Sequence, residues 1–381
     1  MTADSPAGLP ALRPDTDQLD AAIGGAERDA VVVWRGERIP FRALESRIAA
    51  IDDRGERDGL YAGWIEALDA LNPLYRERLA TRRTDSEVAT ALSPGSDVEA
   101  LTLELEELSI QSETVYYAAL RRYLALIGIE QGDATLADLW HVRRGSAWSQ
   151  WFGQRELDRA VGQAGREPSG TRHGEGWRSG ESGLGGSDTD DGVPAMAVSE
   201  LYRSLVGDPG WLGGALQMAP DEIASFADFV AFIRLWRLRR RLAQVHYEMR
   251  LYRTDEEAVQ RAYFSGIVGH TTGVVVPEAA YLVDIGAPFS SVTELGRMML
   301  AGAIGERLSS RFGSQWWANE EARAHVATLA SMSNVDDVVA QFGYSALDWR
   351  PVLRQIRTRL IGEMSGYGGP NITTRAGTRK V

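Results

Sequence analysis

The side chains able to do chemistry in this chain are few and widely spaced. Five histidines are present, His141, His173, His246, His270 and His325, and no two stand at metal-ligand spacing. A helix brings two ligands to one face at separations of three or four residues. His246 and Glu248 are two apart and point to different sides, and His173 stands alone in "RHGEG". The absence of cysteine rules out thiol nucleophiles, disulfides and thiolate metal sites. The one lysine, Lys380, lies in the polar tail. A P-loop lysine, a Schiff base and kinase-type lysine chemistry are therefore excluded from the folded part. Ser290 and Ser291 have no histidine at a suggestive distance, so nothing marks a serine nucleophile.

The densest functional chemistry is the run "RLWRLRRRL", with Arg234, Arg237, Arg239, Arg240 and Arg241. Guanidinium groups at this density suit a phosphate, a nucleic-acid backbone or an acidic partner. The net charge of -12 argues against nucleic-acid binding through the whole surface. Pairing with acidic neighbours such as "ELEELSIQSE" is the simpler reading. Arg234, Arg237 and Arg241 span two faces of one helix, so some are expected to face a cleft and the rest to face water. Trp316 and Trp317 read as packing residues.

The elements that must position these residues are almost all helical. At 381 residues and 44% hydrophobic, the chain can bury one large core or two lobes sharing one. No apolar run is long enough to span a membrane. The opening 1–30 is expected to be a disordered leader without a secretion signal, which makes a cytoplasmic location the simplest expectation. "AVVVWRGERIPF" predicts a β hairpin near 31–39, turning at Arg35-Gly36. Tyr61, Trp64, Ile65, Leu68 and Leu71 predict a helix ending at Asn72-Pro73. Val98, Leu101, Leu105 and Leu108 line one face of a long helix, and Tyr116, Leu120, Tyr123, Leu124 and Ile127 extend it. Asp133 or Thr135 starts the next helix, and Trp148, Trp151, Phe152 and Leu157 belong to a further one. "MAVSELYRSLV" is a short helix stopped by Gly207-Asp208-Pro209-Gly210. Pro220, Asp221 and Glu222 open the longest helix of the second half, with two more helices expected near 254–266 and 292–312.

The centre of the chain departs from this pattern. "SGTRHGEGWRSGESGLGGSDTDDG", Ser169 to Gly192, is rich in glycine and lacks periodicity. Each glycine costs a helix about 1 kcal/mol relative to alanine, so a flexible insert is expected over 165–193. It divides an N-terminal helical lobe, 31–164, from a C-terminal lobe, 194–365, with a disordered tail over 366–381.

The second half resembles the C-terminal half of zinc oligopeptidases of the thimet oligopeptidase and oligopeptidase F group, particularly compact bacterial relatives. The matching pieces are Leu235 to Glu248, Tyr281 to Asp284 with the aromatic-rich turn beyond it, and "RFGSQWWANEEA", Arg311 to Ala322. "NPLYRERL" and "ADLWHVRRGSAWSQWF" are similar to the group's N-terminal helices. The resemblance implies an all-α, two-lobed fold around a channel. It also implies an H-E-x-x-H zinc motif, a third-ligand glutamate and a tyrosine that supports the tetrahedral intermediate. The chain has no H-E-x-x-H; by order the motif would fall at the insert. The third-ligand position falls near Met196, with Glu200 one turn later, and the tyrosine turn reads "PFSSVTEL". The expectation is an inactive homologue without cofactor, binding a peptide or protein partner in the old cleft. Its candidate binding residues are Arg234, Arg237, Arg241, His246 and Glu248. The rival is a metal-dependent hydrolase with reassigned ligands, including Glu200, His173 or His246. A third reading is an anion or nucleic-acid binder acting through residues 234–241.

Overall fold

The computed structural model describes residues 16–84, 86–93, 97–144, 193–332, 338 and 348–364. Among them are thirteen α-helices and one two-stranded antiparallel hairpin, so the fold is all-α. No helix among the described residues is long and apolar enough to cross a membrane. The second tryptophan group (Trp148, Trp151), most of the glycine-rich insert and the tail lie outside the described residues.

The hairpin joins β1 (Val31–Trp34) to β2 (Glu37–Pro40), with Val31 opposite Pro40 and Trp34 opposite Glu37. Its two turn residues, Arg35 and Gly36, have φ of 53° and 82°. Two consecutive positive φ values give a turn whose twist matches that of the strands, and Gly36 adopts its value without steric cost.

Two expectations about the N-terminal half are corrected. The leader expected to be disordered through residue 30 contains helix α1 (Thr16–Asp29). Leu19 and Ile23, four apart, bury against the core, and Asp20 pairs with Arg78 at 3.1 Å and Arg82 at 2.9 Å. After α2 (Leu44–Ala49), helix α3 (Arg54–Arg82) runs straight through Pro73, where the sequence pattern predicts an end. A proline inside a helix costs about 3 kcal/mol in isolation. Here tertiary packing on both sides outweighs it: Tyr75 and Leu79 are buried beyond the proline, and Asn72 donates to the Ala279 carbonyl at 2.9 Å.

Helices α4 (Ser86–Ala91) and α5 (Asp97–Leu126) follow, and α5 buries the leucine face read from its spacing. Thr135, of the two candidate starts, caps α6 (Leu136–Arg143): its Oγ1 accepts from Asp138 N–H, and the Asp138 carboxylate accepts the Thr135 N–H at 3.0 Å. Such a reciprocal pair satisfies two otherwise orphaned donors.

The second half begins with α7 (Val193–Ser204), so the last residue assigned to the insert is already helical. Asp208-Pro209 does more than stop that helix. Asp208 caps α8 (Pro209–Ala215) by accepting from Trp211 N–H at 2.9 Å. Helix α9 (Pro220–Leu251) is the longest among the described residues and buries side chains on every side. It packs against α5 and against α10 (Glu257–Thr272), α11 (Ser290–Phe312) and α13 (Arg350–Met364), while α12 (Glu320–Ala330) lies against α7. A helix with apolar positions all round is a core helix. Its neighbours come from both halves of the chain, and the buried side chains of both halves form one continuous cluster.

Candidate anion site

Because α9 is enclosed, its arginines turn inward. The expected water-facing arginines are not found: Arg239, Arg240 and Arg241 are buried, and Arg234 and Arg237 are half-buried. Burying a guanidinium without partners is costly. Four of the five find direct partners, in different directions. Arg239 donates to the Thr271 and Ser109 carbonyls at 2.8 and 2.9 Å and to Ser112 Oγ at 2.7 Å, with its charge over the ring of Tyr116. It answers the C-terminal carbonyls of α10, where a cation is favoured. The "ELEELSIQSE" segment thus meets this run through hydrogen bonds accepted by Ser109 and Ser112, with Glu113 adding an electrostatic contribution at Arg239. Arg240 pairs with Asp284. Arg241 pairs with Glu294 of α11 at 2.5 Å and donates to Gln244 at 2.6 Å.

Arg234 and Arg237 turn toward α7, where Glu200 is only 7% exposed. Arg237 approaches Glu200 Oε1 at 3.2 Å, and Arg203, one turn along α7, approaches Oε2 at 2.6 Å. Arg234 also acts electrostatically on this carboxylate. Burial by itself would raise the Glu200 pKa, but Arg237, Arg203 and Arg234 outweigh it and hold the carboxyl below its ordinary value. From α11, Arg297 lies within the field of Glu200, Arg203, Arg241 and Glu294. Four guanidinium groups thus surround one carboxylate. Arg203 on the rim is 36% exposed. Arg359 of α13, 41% exposed and 3.8 Å from Asp208, adds a further positive charge within the field of Arg234.

Arg234 and Arg297 differ from the rest. Neither forms an ion pair among the described residues, and the Nε of each is buried without a hydrogen-bond partner. Burial lowers the pKa of both; Glu200 opposes that effect at Arg234, and Glu294 and then Glu200 oppose it at Arg297. The arrangement can accept oxyanions: planar donors, a desolvated setting and positive charge in excess.

The remaining sequence candidates do not join this site. His246 is half-buried and faces the field of Glu106 on α5; burial holds its pKa below the ordinary value. Glu248 accepts from Phe289 N–H and Ser291 Oγ at the start of α11. Burial pushes it up to about 7, against the lowering influence of those two donors and Arg241. Five candidates read as one cleft are thus divided among three neighbourhoods. His173 lies outside the described residues. Among the described residues no group of three His, Asp or Glu side chains is placed to hold a metal. Trp316 is buried beside Tyr202, with ring centroids 6.1 Å apart.

Arg203, Arg297 and Arg359 did not emerge from the sequence. Two carry a local signal: Arg203 is three residues after Glu200, and Arg297 three after Glu294. That spacing puts each pair on one helical face. It cannot reveal that the two faces converge across separate helices.

The fold and this cluster define an all-α protein with a buried arginine site. Comparison with protein-family models, with curated proteins and with solved structures gives no match.

Proposed function

We propose that the chain is a catalytically inactive relative of the zinc oligopeptidases that works as a binding or scaffold protein. It holds a peptide or protein segment against the arginine-lined surface shared by α7, α9 and α11. Glu200 is the observation that carries this reading. It is the carboxylate nearest the family's third-ligand position, and both its oxygens are engaged by Arg203 and Arg237. A carboxylate ligand directs a lone pair at the zinc, and cationic neighbours raise the cost of adding a divalent cation. The same neighbours favour an anionic ligand. Loss of the H-E-x-x-H motif and of the tyrosine in "PFSSVTEL" points the same way.

The rival, a hydrolase with ligands reassigned to Glu200, His173 or His246, requires one zinc per chain. Metal analysis of the full chain purified without chelator separates the two. The proposal expects well below one zinc per chain; one tightly bound equivalent overturns it. Arg237→Glu should also abolish binding of acidic peptides, while Arg253→Glu, at an exposed position on the chain following α9, should leave it unchanged.

A further inference from the structure

Most buried and half-buried arginines among the described residues have their charge answered. Arg57 pairs with Asp138 at 2.7 Å, Arg82 with Asp20 at 2.9 Å and Arg143 with Glu45 at 3.4 Å. Arg82 and Arg143 each keep a buried Nε or Nη without a partner, yet each holds a carboxylate through another nitrogen. Arg234 and Arg297 hold none among the described residues: both lie in the field of Glu200, and Arg297 also in that of Glu294, which is itself paired with Arg241. They approach it from different helices, Arg234 from α9 and Arg297 from α11. Glu200 itself is occupied by Arg203 and Arg237. It orients those two arginines and leaves the other two donor sets available.

We infer that this site takes the C-terminus of a peptide whose last residue is acidic, with one carboxylate received by Arg234 and the other by Arg297. The inference rests on the peptide-binding reading above and adds the ligand's chemistry. A guanidinium offers two parallel N–H donors that match one carboxylate, so two guanidinium groups without ion pairs match two carboxylates. A single carboxylate would leave one of them desolvated and unanswered. Glu200 opposes any anion that enters, which disfavours ligands unable to engage both arginines at once. Arg203 and Arg359, the most exposed of the surrounding guanidinium groups, stand where an anion would first arrive.

The test uses the full chain and three labelled peptides of one sequence, read by fluorescence anisotropy. One ends in free glutamate, one in free alanine, and one in glutamate with an amidated terminus. The expected result is at least tenfold tighter binding of the first than of either single-carboxylate peptide. Arg234→Met and Arg297→Met should each reduce that preference to about twofold or less. Inorganic phosphate serves as a competitor. Equal affinity for all three peptides overturns the two-carboxylate assignment and leaves the peptide-binding reading standing. Phosphate binding more tightly than the glutamate-terminated peptide overturns it in favour of a phosphate site. No peptide binding, together with one zinc per chain, overturns the underlying reading itself. The peptide series on the unaltered protein decides the matter even where a variant fails to fold.

Discussion

Glu248, near the end of α9, accepts the backbone N–H of Phe289, 41 residues later in the chain, at 2.6 Å and so caps α11. Phe289 sits at φ 55°, a left-handed conformation that turns its N–H toward α9. Its own side chain offers no hydrogen-bond acceptor, and Ser291 donates to the other Glu248 oxygen. A residue read as a possible ligand contact is thus a helix cap supplied from another element.

The cap has a pH signature. Burial raises the Glu248 pKa from 4.5 to about 7, so between those values the native state holds a proton that the unfolded chain has released. The native state therefore binds more protons, and this residue's contribution to stability falls as pH rises through the window. At 1.36 kcal/mol per unit, the change amounts to about 3 kcal/mol. Denaturant titrations of wild type and Glu248→Gln should show their stability difference moving by that amount in the variant's favour from about pH 4.5 to about pH 8. A difference independent of pH would show that Glu248 titrates as it does in water.

Glu200 carries the opposite sign. Its pKa is held below 4.5, so its ion pairs contribute fully above the unfolded value and are lost as pH falls through the folded one. Glu200→Gln leaves four guanidinium groups around a neutral amide. It should cost roughly 3 kcal/mol or more at pH 7, the scale for breaking a buried pair. The gap to wild type should close in acid. Thermal melts at neutral and acidic pH check both parts.

Asp138 and Arg57 tie α6 to α3 from fully buried positions, with a second contact at 3.3 Å through Arg57 Nε. The same carboxylate closes the Thr135 cap. Asp138→Ala should destabilise by about 3–5 kcal/mol, because it strands a buried cation. Replacing both partners by apolar residues of similar volume, Arg57→Met with Asp138→Leu, should recover a large part of that loss in chemical denaturation.

Two glycines should respond to alanine with opposite signs. At Gly302, where α11 crosses α13, a Cβ would lie 2.8 Å from Val352 Cβ and 3.0 Å from its backbone N and Cα. Backbone cannot move aside cheaply, so Gly302→Ala should cost about 1–3 kcal/mol. At Gly266, inside α10, a Cβ meets nothing within 4 Å. Gly266→Ala should gain about 0.5–1 kcal/mol from helix propensity alone. Melting temperatures of the two variants give the comparison.

Periodicity and turn chemistry by themselves determined the helical class, the hairpin turning at Arg35-Gly36 and the start of α9 at Pro220, and narrowed the cap of α6 to Asp133 or Thr135. These depend on residues close together in the chain, where side-chain spacing and backbone preference act directly. Tertiary structure decided the rest. Pro73 lies inside a helix because Tyr75, Leu79 and the Asn72–Ala279 bond outweigh its local cost. Residues 16–29 are helical because α3 supplies a surface for Leu19 and Ile23 and arginines for Asp20. The run from Arg234 to Arg241 could be seen as a run, but its direction could not. Spacing on one helix says which side chains share a face, whereas only the helices packed around α9 decide whether that face meets water, carbonyls or Glu200. Enclosure on all sides turned a run of charges on one helix into separate buried partnerships, and it left Arg234, like Arg297 of α11, with no carboxylate of its own among the described residues.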